Sequence, residues 1–368
     1  MKKSICCIVI ATILTLGCKK AENTNTSVED FNTLKTAAIA DFVHVVAVPG
    51  YAALKTKATA LNNAIIVLNS ATTQANLDAA KQAWKDVRST WENCEGYLFG
   101  PVDSDEHDPE TDTWPVNFVD LEALLADNTH SLSVADIESL TNRALKGYHP
   151  IEYVLWGKKS NPQKAVTLQA NARQKLYIVS LSTALKNQAD ALYNSWISTG
   201  GNYSNIVLTA GAATNTIFTK KQAVYLAILE GMVGICGEVA DGKMKEPFDA
   251  EAFTPGSGAE LVESPFSGNS LIDFKNNIIG AYNVYLGKYA TQGKGIADLV
   301  QQKNRSLDNN IRLKFETAIN SFDNITVTYE EAIVSQRIQC QQTMSAIANL
   351  STLLDTDVRA FIITNITD

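Results

Sequence analysis

The strongest constraint on the fold is the period of the apolar residues, which is helical almost everywhere along the chain. Phe31, Leu34, Ala38, Phe42, Val45 and Val46 return every three or four positions, the spacing that gathers side chains on one helix face. Pro49-Gly50 interrupts the run and residues 51–68 resume it, which predicts one long kinked helix or two in line. Thr73 opens the next helix, with Leu77, Ala80, Trp84, Val87, Trp91, Cys94 and Leu98 down one side and Gly100-Pro101 at its end. Residues 101–116 read as an acidic loop with Pro101, Pro109 and Pro115, and 117–125 as a helix. Ser133 with Asp136 makes a capping box for a short helix to Leu145. Asn161-Pro162 reads as cap and first position of a long helix reaching Trp196.

Residues 199–218, rich in glycine, asparagine and threonine, read as the break between two halves. Beyond it, Phe218, Thr219 and Gln222 suggest a staple and cap for a helix to Val239, and residues 241–269 an irregular, functional loop. Ser270 with Asp273 caps a helix through Tyr289, and 296–319 is helical. Thr328 with Glu331 caps a helix to Leu353, on which a terminal segment, 355–363, docks. Only 203–208 has any strand character. The expected fold class is all-α, as two antiparallel helical bundles spanning residues 28–198 and 219–368 and joined by 199–218.

The start of the chain has a different task. Lys2 and Lys3 precede an apolar run from Ile5 to Leu16, and Gly17-Cys18 leads into Lys19-Lys20. A basic start, a short apolar core and a small residue before a break make an export signal. Glycine directly before cysteine matches a bacterial lipoprotein cleavage box, with Thr15 where leucine is preferred. Residues 1–18 make up the signal segment, Cys18 carries the lipid, and 19–27 form a tether. Loss of the signal leaves 29 basic against 39 acidic side chains, a net charge of −10. That balance argues against nucleic acid or an anionic membrane surface as partner. Cys94, Cys236 and Cys340 are too few and too far apart for a disulfide framework or zinc knuckle, and read as buried small hydrophobes.

The chemistry concentrates in Gly147-Tyr148-His149-Pro150-Ile151-Glu152. Pro150 fits the first turn of a helix, which puts His149 at its start and Glu152 one turn on, on the same face. The pair suits metal ligation and equally suits a buried polar pair bonded to its neighbours. Further ligands would come from other helices, as in bundle metal sites. Glu92 and Glu95 are spaced three apart, as are Asp41 and His44, and Glu95 is the favoured third ligand. His107 and His130 read as surface residues, His130 with no carboxylate in its own turn. No HExxH, nucleophile elbow, phosphate loop or dinucleotide fingerprint occurs.

These residues bring the chain close to a known family. Gly147-x-His149-x-x-Glu152, followed by Tyr153-Val154-Leu155-Trp156-Gly157, resembles the defining motif of the imelysin-like proteins, grouped as peptidase family M75. Ala83-Trp84, Arg88, Trp91, Glu95, Phe99-Gly100-Pro101, Asp112, Trp114-Pro115 and Asn117 resemble its second helix and the loop that follows. Glu263 to Ser270, with Ser267 and Asn269, then Asp273 and Tyr285-Leu286-Gly287, resemble its second-half region, departing from it at Ser264-Pro265 and Gly268. The likeness spans about residues 28–360. It implies two helical bundles with the motif in a cleft where they meet, and an exported, often lipid-anchored protein linked to iron uptake. The function expected is therefore an envelope lipoprotein, anchored to the outer membrane, that binds a divalent or ferric ion (iron or zinc) or an iron-bearing ligand and works with membrane uptake components. The alternatives are a metallopeptidase and a metal-free protein-binding module.

Overall fold

The computed structural model describes residues 29–368, so the export signal, Cys18 and the tether lie outside the described residues. Helix α1 runs from Phe31 to Ser70. The interruption at Pro49 does not break it. Instead Phe42–Ala47 widens into a π-helical stretch, with the Val48 N–H donating to the Val43 carbonyl. Proline has no N–H to give, and the wider turns just before it absorb the mismatch in the ladder. Thr73 caps α2, Gln74–Cys94, by accepting the Asn76 N–H, and Glu95–Tyr97 continues it as one 3-10 turn. The acidic loop that follows is partly helical, at Pro101–Ser104 and His107–Thr111. Helix α3 is Phe118–Ala126, and α4, Tyr148–Trp156, carries the motif. The Ser133–Asp136 capping box forms, on a five-residue helix.

Asn161-Pro162 does not start a helix. Gly157, at φ +70°, turns the chain so that Gly157–Lys158 pairs with Asn161–Pro162 in a small hairpin. A short helix, Ala165–Ala170, comes next, and Asn171 caps α5, Ala172–Trp196, through the Gln174 N–H. Residues 203–208 are helical as well, so their β-branched side chains cover a helix and not a strand.

In the second half, α6 extends from Lys221 to Phe253, far past Val239, and turns much of the expected loop into helix. Its start has no side-chain cap, contrary to the pattern at Thr219 and Gln222. Its Glu238–Met244 stretch is π-helical. Helix α7, Ser270–Leu286, stops at Gly287 in the left-handed conformation, and its cap position is Asn269, one residue before the expected serine. Asn304 divides the next segment into α8, Ile296–Lys303, and α9, Arg305–Ser321. Tyr329–Ser335 precedes α10, Arg337–Leu353, which runs on through a π turn into α11, Arg359–Asn365.

The described chain is thus all-helical apart from that hairpin. In the first half α1 packs along α2 and α5; in the second, α6 packs against α7 and α10, and α10 against α9. The two halves meet where α2 lies against α7, and backbones touch there. A Cβ on Gly96 would fall 2.8 Å from the Ala281 nitrogen, and one on Gly280 would run into the Asn93 backbone. Only glycine allows that approach, and it brings the polar stripe of α2 into the second half.

Candidate metal centre

Helix α2 is buried on two faces. Leu77, Ala80, Trp84, Val87, Trp91 and Cys94 form the apolar one. Arg88, Glu92 and Glu95, at helical spacing, form a polar stripe that is equally buried, at 0%, 0% and 2% exposure. A charged group taken from water so completely needs partners of opposite sign, and the rest of the chain supplies them.

Asp112 is the first. It leaves the short His107–Thr111 helix beside Gly147, whose φ is +87° and where a Cβ would collide with the Thr111 carbonyl. That close approach sets Asp112 against His149. Asp112 Oδ1 lies 3.0 Å from His149 Nε2 and also accepts from Arg88, while Oδ2 accepts the Trp91 indole N–H at 2.7 Å. Burial opposes its charge, but Arg88 and His149 hold its carboxyl well below the usual carboxylate range. The other face of the His149 ring meets Glu152, with Nδ1 3.6 Å from Oε2. Burial disfavours the imidazolium, yet Asp112 and Glu152 outweigh it and push its pKa up to about 9. Glu152 Oε1 in turn accepts the Ser267 N–H at 2.7 Å and hydroxyl at 2.6 Å.

A second arm forms around Lys243, on the π-helical stretch of α6. Its ammonium lies 3.0 Å from Glu263 Oε1, 3.3 Å from Glu95 Oε2 and 3.7 Å from Glu92 Oε2. Arg88 pairs with Glu92 and, at 3.0 Å, with Glu263 Oε1, and stacks 4.9 Å over the Tyr148 ring. Asn277 donates to Glu92 and Glu95. Asp273 accepts from the Ser264 hydroxyl at 2.7 Å and the Asn269 amide at 2.6 Å. Burial raises the pKa values of Glu92, Glu95 and Asp273 against the pull of Arg88 or Lys243, that of Glu95 to about 8.

Of the residues singled out from sequence, Gly147, His149, Glu152, Arg88, Glu95, Ser267, Asn269 and Asp273 therefore belong to one buried network. Trp114 is half-buried and Pro115 exposed, and neither hydrogen-bonds to the centre. The donor atoms that converge closely enough for one cation come from Asp112, His149 and Glu263, and from Glu92, Glu95 and Asp112. Glu152 stands behind His149, outside both groups. Asp41 and His44 lie elsewhere: His44 is exposed and Asp41 accepts the Lys294 N–H at 2.6 Å. His107 is not a surface residue but 7% exposed and bonded to Gln188, because the segment carrying it folds back onto α5. His130 is exposed as expected, yet has a carboxylate 3.6 Å away in its own turn, Asp127. The expected cleft is closed. His149 and Glu152 are 1% and 0% exposed, and the surface cavity of about 820 Å³ between α7 and the segment 322–331 does not include them.

Lys243 and Asn277 escaped the sequence reading. A lysine in a helical pattern reads as solvated, and its partner carboxylates Glu92 and Glu95 lie about 150 residues away. Glu263 was legible only through its place beside Ser264.

Fold and site together define a class: an all-helical, two-bundle protein whose halves are joined by a buried, acid-rich network around a Gly-x-His-x-x-Glu helix. The chain belongs to the Imelysin family, Peptidase_M75, which it matches over residues 47–356. It is 29% identical over 328 residues to iron-regulated protein A of Synechococcus elongatus, covering 87% of this chain and 85% of the relative. A crystal structure from Parabacteroides distasonis, described as a candidate iron-regulated protein A precursor, superposes with a TM-score of 0.81 at 24% identity, over 93% of this chain and 97% of the other. An imelysin-like protein from Psychrobacter arcticum gives 0.71 at 12% identity, over 90% and 96%. These two likenesses bear on the fold.

Proposed function

We propose that this protein is an exported, lipid-anchored member of the family that takes a metal cation, iron by preference, into the buried acidic centre. The observation that carries this reading is the convergence of buried metal-ligating donors. Six buried carboxylates, Glu92, Glu95, Asp112, Glu152, Glu263 and Asp273, face three cations, Arg88, Lys243 and His149. Carboxylate oxygens with one imidazole nitrogen suit iron or zinc. Glu263 Oε2 is buried without a hydrogen-bond partner, as a ligand atom waiting for a cation would be. Asp112, His149 Nε2 and Glu263 would hold the ion, with Glu92 and Glu95 alongside. Glu152 would accept the Nδ1 proton of His149 and fix the ring, the usual outer partner of a ligating histidine. The bound ion would take the place of the proton that burial keeps on Glu95. The name of the Synechococcus relative supports iron, and Gly17-Cys18 supports the anchor at the outer membrane, where uptake components would be the partners. Nothing in the geometry favours hydrolysis, which needs an open coordination position and a groove for substrate.

Calorimetry and metal analysis of the purified mature chain test the reading, with ferrous iron under anaerobic conditions and with zinc. Wild type should bind about one equivalent, and His149→Ala at least about tenfold more weakly. Equal uptake by the variant would remove the site assignment. A second reading rests on Arg88 and Lys243, which already pair the carboxylates: the network then simply locks the two halves together. Failure of the wild-type protein to bind metal would leave that reading standing.

A further inference from the structure

The acidic centre already contains a cation, and it belongs to the protein. The Lys243 ammonium is 1% exposed and touches Glu263, Glu95 and Glu92. Those carboxylates belong to the two donor groups that could hold a metal, Glu263 to one, Glu92 and Glu95 to the other. An ammonium and a metal ion sharing these oxygens would sit a few ångströms apart in a medium of low dielectric, where like charges repel strongly.

We propose that Lys243 is a displaceable internal counter-ion, which leaves the centre when a metal ion arrives and returns when it departs. The inference rests on the metal-binding reading above and adds its regulation. Three observations make the displacement feasible. Lys243 lies in the π-helical Glu238–Met244 stretch, not in regular α-helix, and such stretches inside helices occur frequently at functional sites. The helix leading to it carries Gly234 and Gly237, where an added Cβ would meet nothing within 4 Å. Close packing does not demand glycine there, so its effect is to soften the helix. A second partner also waits at the rim: Glu238 Oε1 is 4.0 Å from Nζ, with its side chain 47% exposed against 1% for Lys243. A short outward swing keeps the ammonium paired while it vacates Glu263 and Glu95.

The exchange fixes the class of ligand. Replacing one positive charge by a monovalent ion gains nothing, whereas a divalent or trivalent ion brings more charge to these carboxylates than the ammonium it replaces. Lys243 thereby sets a threshold that excludes sodium and potassium and weakens every metal by the energy of its own ion pairs.

Amine-reactive labelling with mass spectrometry on the mature chain reads the displacement directly. Lys243 should be protected without metal and in potassium, and its labelling should rise at least about tenfold with saturating zinc or ferrous iron. In calorimetry, Lys243→Met should bind the same ion at least about tenfold tighter than wild type, since the competitor is gone. If wild type binds metal while Lys243 stays protected and the variant binds no tighter, the displacement is overturned and the metal-binding reading survives. If neither protein binds metal, both fall. Should Lys243→Met fail to fold, labelling of the metal-bound wild type decides alone, with protection overturning the proposal and exposure supporting it.

Discussion

Replacing His149 by glutamine tests the electrostatics of the centre without any metal. In the folded chain the imidazole keeps its proton up to about 9, against an ordinary value of 6.5. That difference corresponds to ~3 kcal/mol of stability, at ~1.4 kcal/mol for each pH unit. Its sign is fixed. Below pH 6.5 folded and unfolded chains both carry the proton and the contribution is whole. As pH rises further the unfolded chain releases the proton first, so stability falls, and the contribution is gone once pH passes about 9. Glu95, with a pKa near 8, and Asp108, raised to about 7 by burial and by the carboxylates of Asp112 and Glu238, add losses of the same sign at lower pH. The window between pH 8 and 9 therefore isolates the histidine from these two. Urea unfolding across that window should show wild type losing ~1.4 kcal/mol more than His149→Gln. At neutral pH the variant should be less stable by ~3–5 kcal/mol, the cost of breaking a buried charge pair. A wild-type loss between pH 8 and 9 no larger than the variant's would refute the charged imidazole held between Asp112 and Glu152.

Other consequences are as direct. Ser267→Ala removes the hydroxyl bond to Glu152 and leaves the N–H bond, so it should cost about 1–3 kcal/mol in chemical unfolding. Gly280→Ala drives a Cβ into the Asn93 backbone and should destabilise the chain by ~1–3 kcal/mol, whereas Gly234→Ala, with open space around it, should stabilise it by ~1 kcal/mol. Metal uptake at His149 Nε2 should release a proton, seen as a dependence of the calorimetric heat on buffer ionisation, and affinity should rise with pH up to about 9.

The fold was legible where burial follows a single apolar stripe. Helix α2 carries six such positions and a threonine cap, and it formed as the spacing predicts. The failures have local causes. Asn161-Pro162 has the composition of a helix start, but Gly157 turns the chain into a hairpin first, a decision made four residues upstream. The π-helical stretches at Phe42–Ala47 and Glu238–Met244 leave no period of their own in the sequence, since one extra residue per turn disappears into the surrounding apolar pattern. At the site, His149 and Glu152 were visible because a helix start and a three-residue spacing are local. That Asp112 and not Glu152 faces the histidine's Nε2 depends on a backbone contact between Gly147 and Thr111. No spacing encodes that contact.

The same protons serve two ends that oppose each other. In the metal-free protein, the His149 imidazolium and the protonated Glu95 relieve the crowding of carboxylates, and both favour the folded state as pH falls toward neutral. For a metal ion the same protons and the Lys243 ammonium are competitors, since a ligand must be deprotonated to bind. Conditions that make the empty protein most stable therefore make it the weakest binder. The arrangement would suit the envelope metal-binding role proposed above, in which the protein persists without cargo and still accepts a highly charged ion. Its halves stay joined in the absence of metal because Arg88 and Lys243, one from each half, reach the same Glu263 oxygen. Arg88 stays charged at any relevant pH and stacks between α2 and α4, whereas Lys243 hangs on a softened helix with a second carboxylate at the rim. The first is placed to hold the halves together and the second to yield.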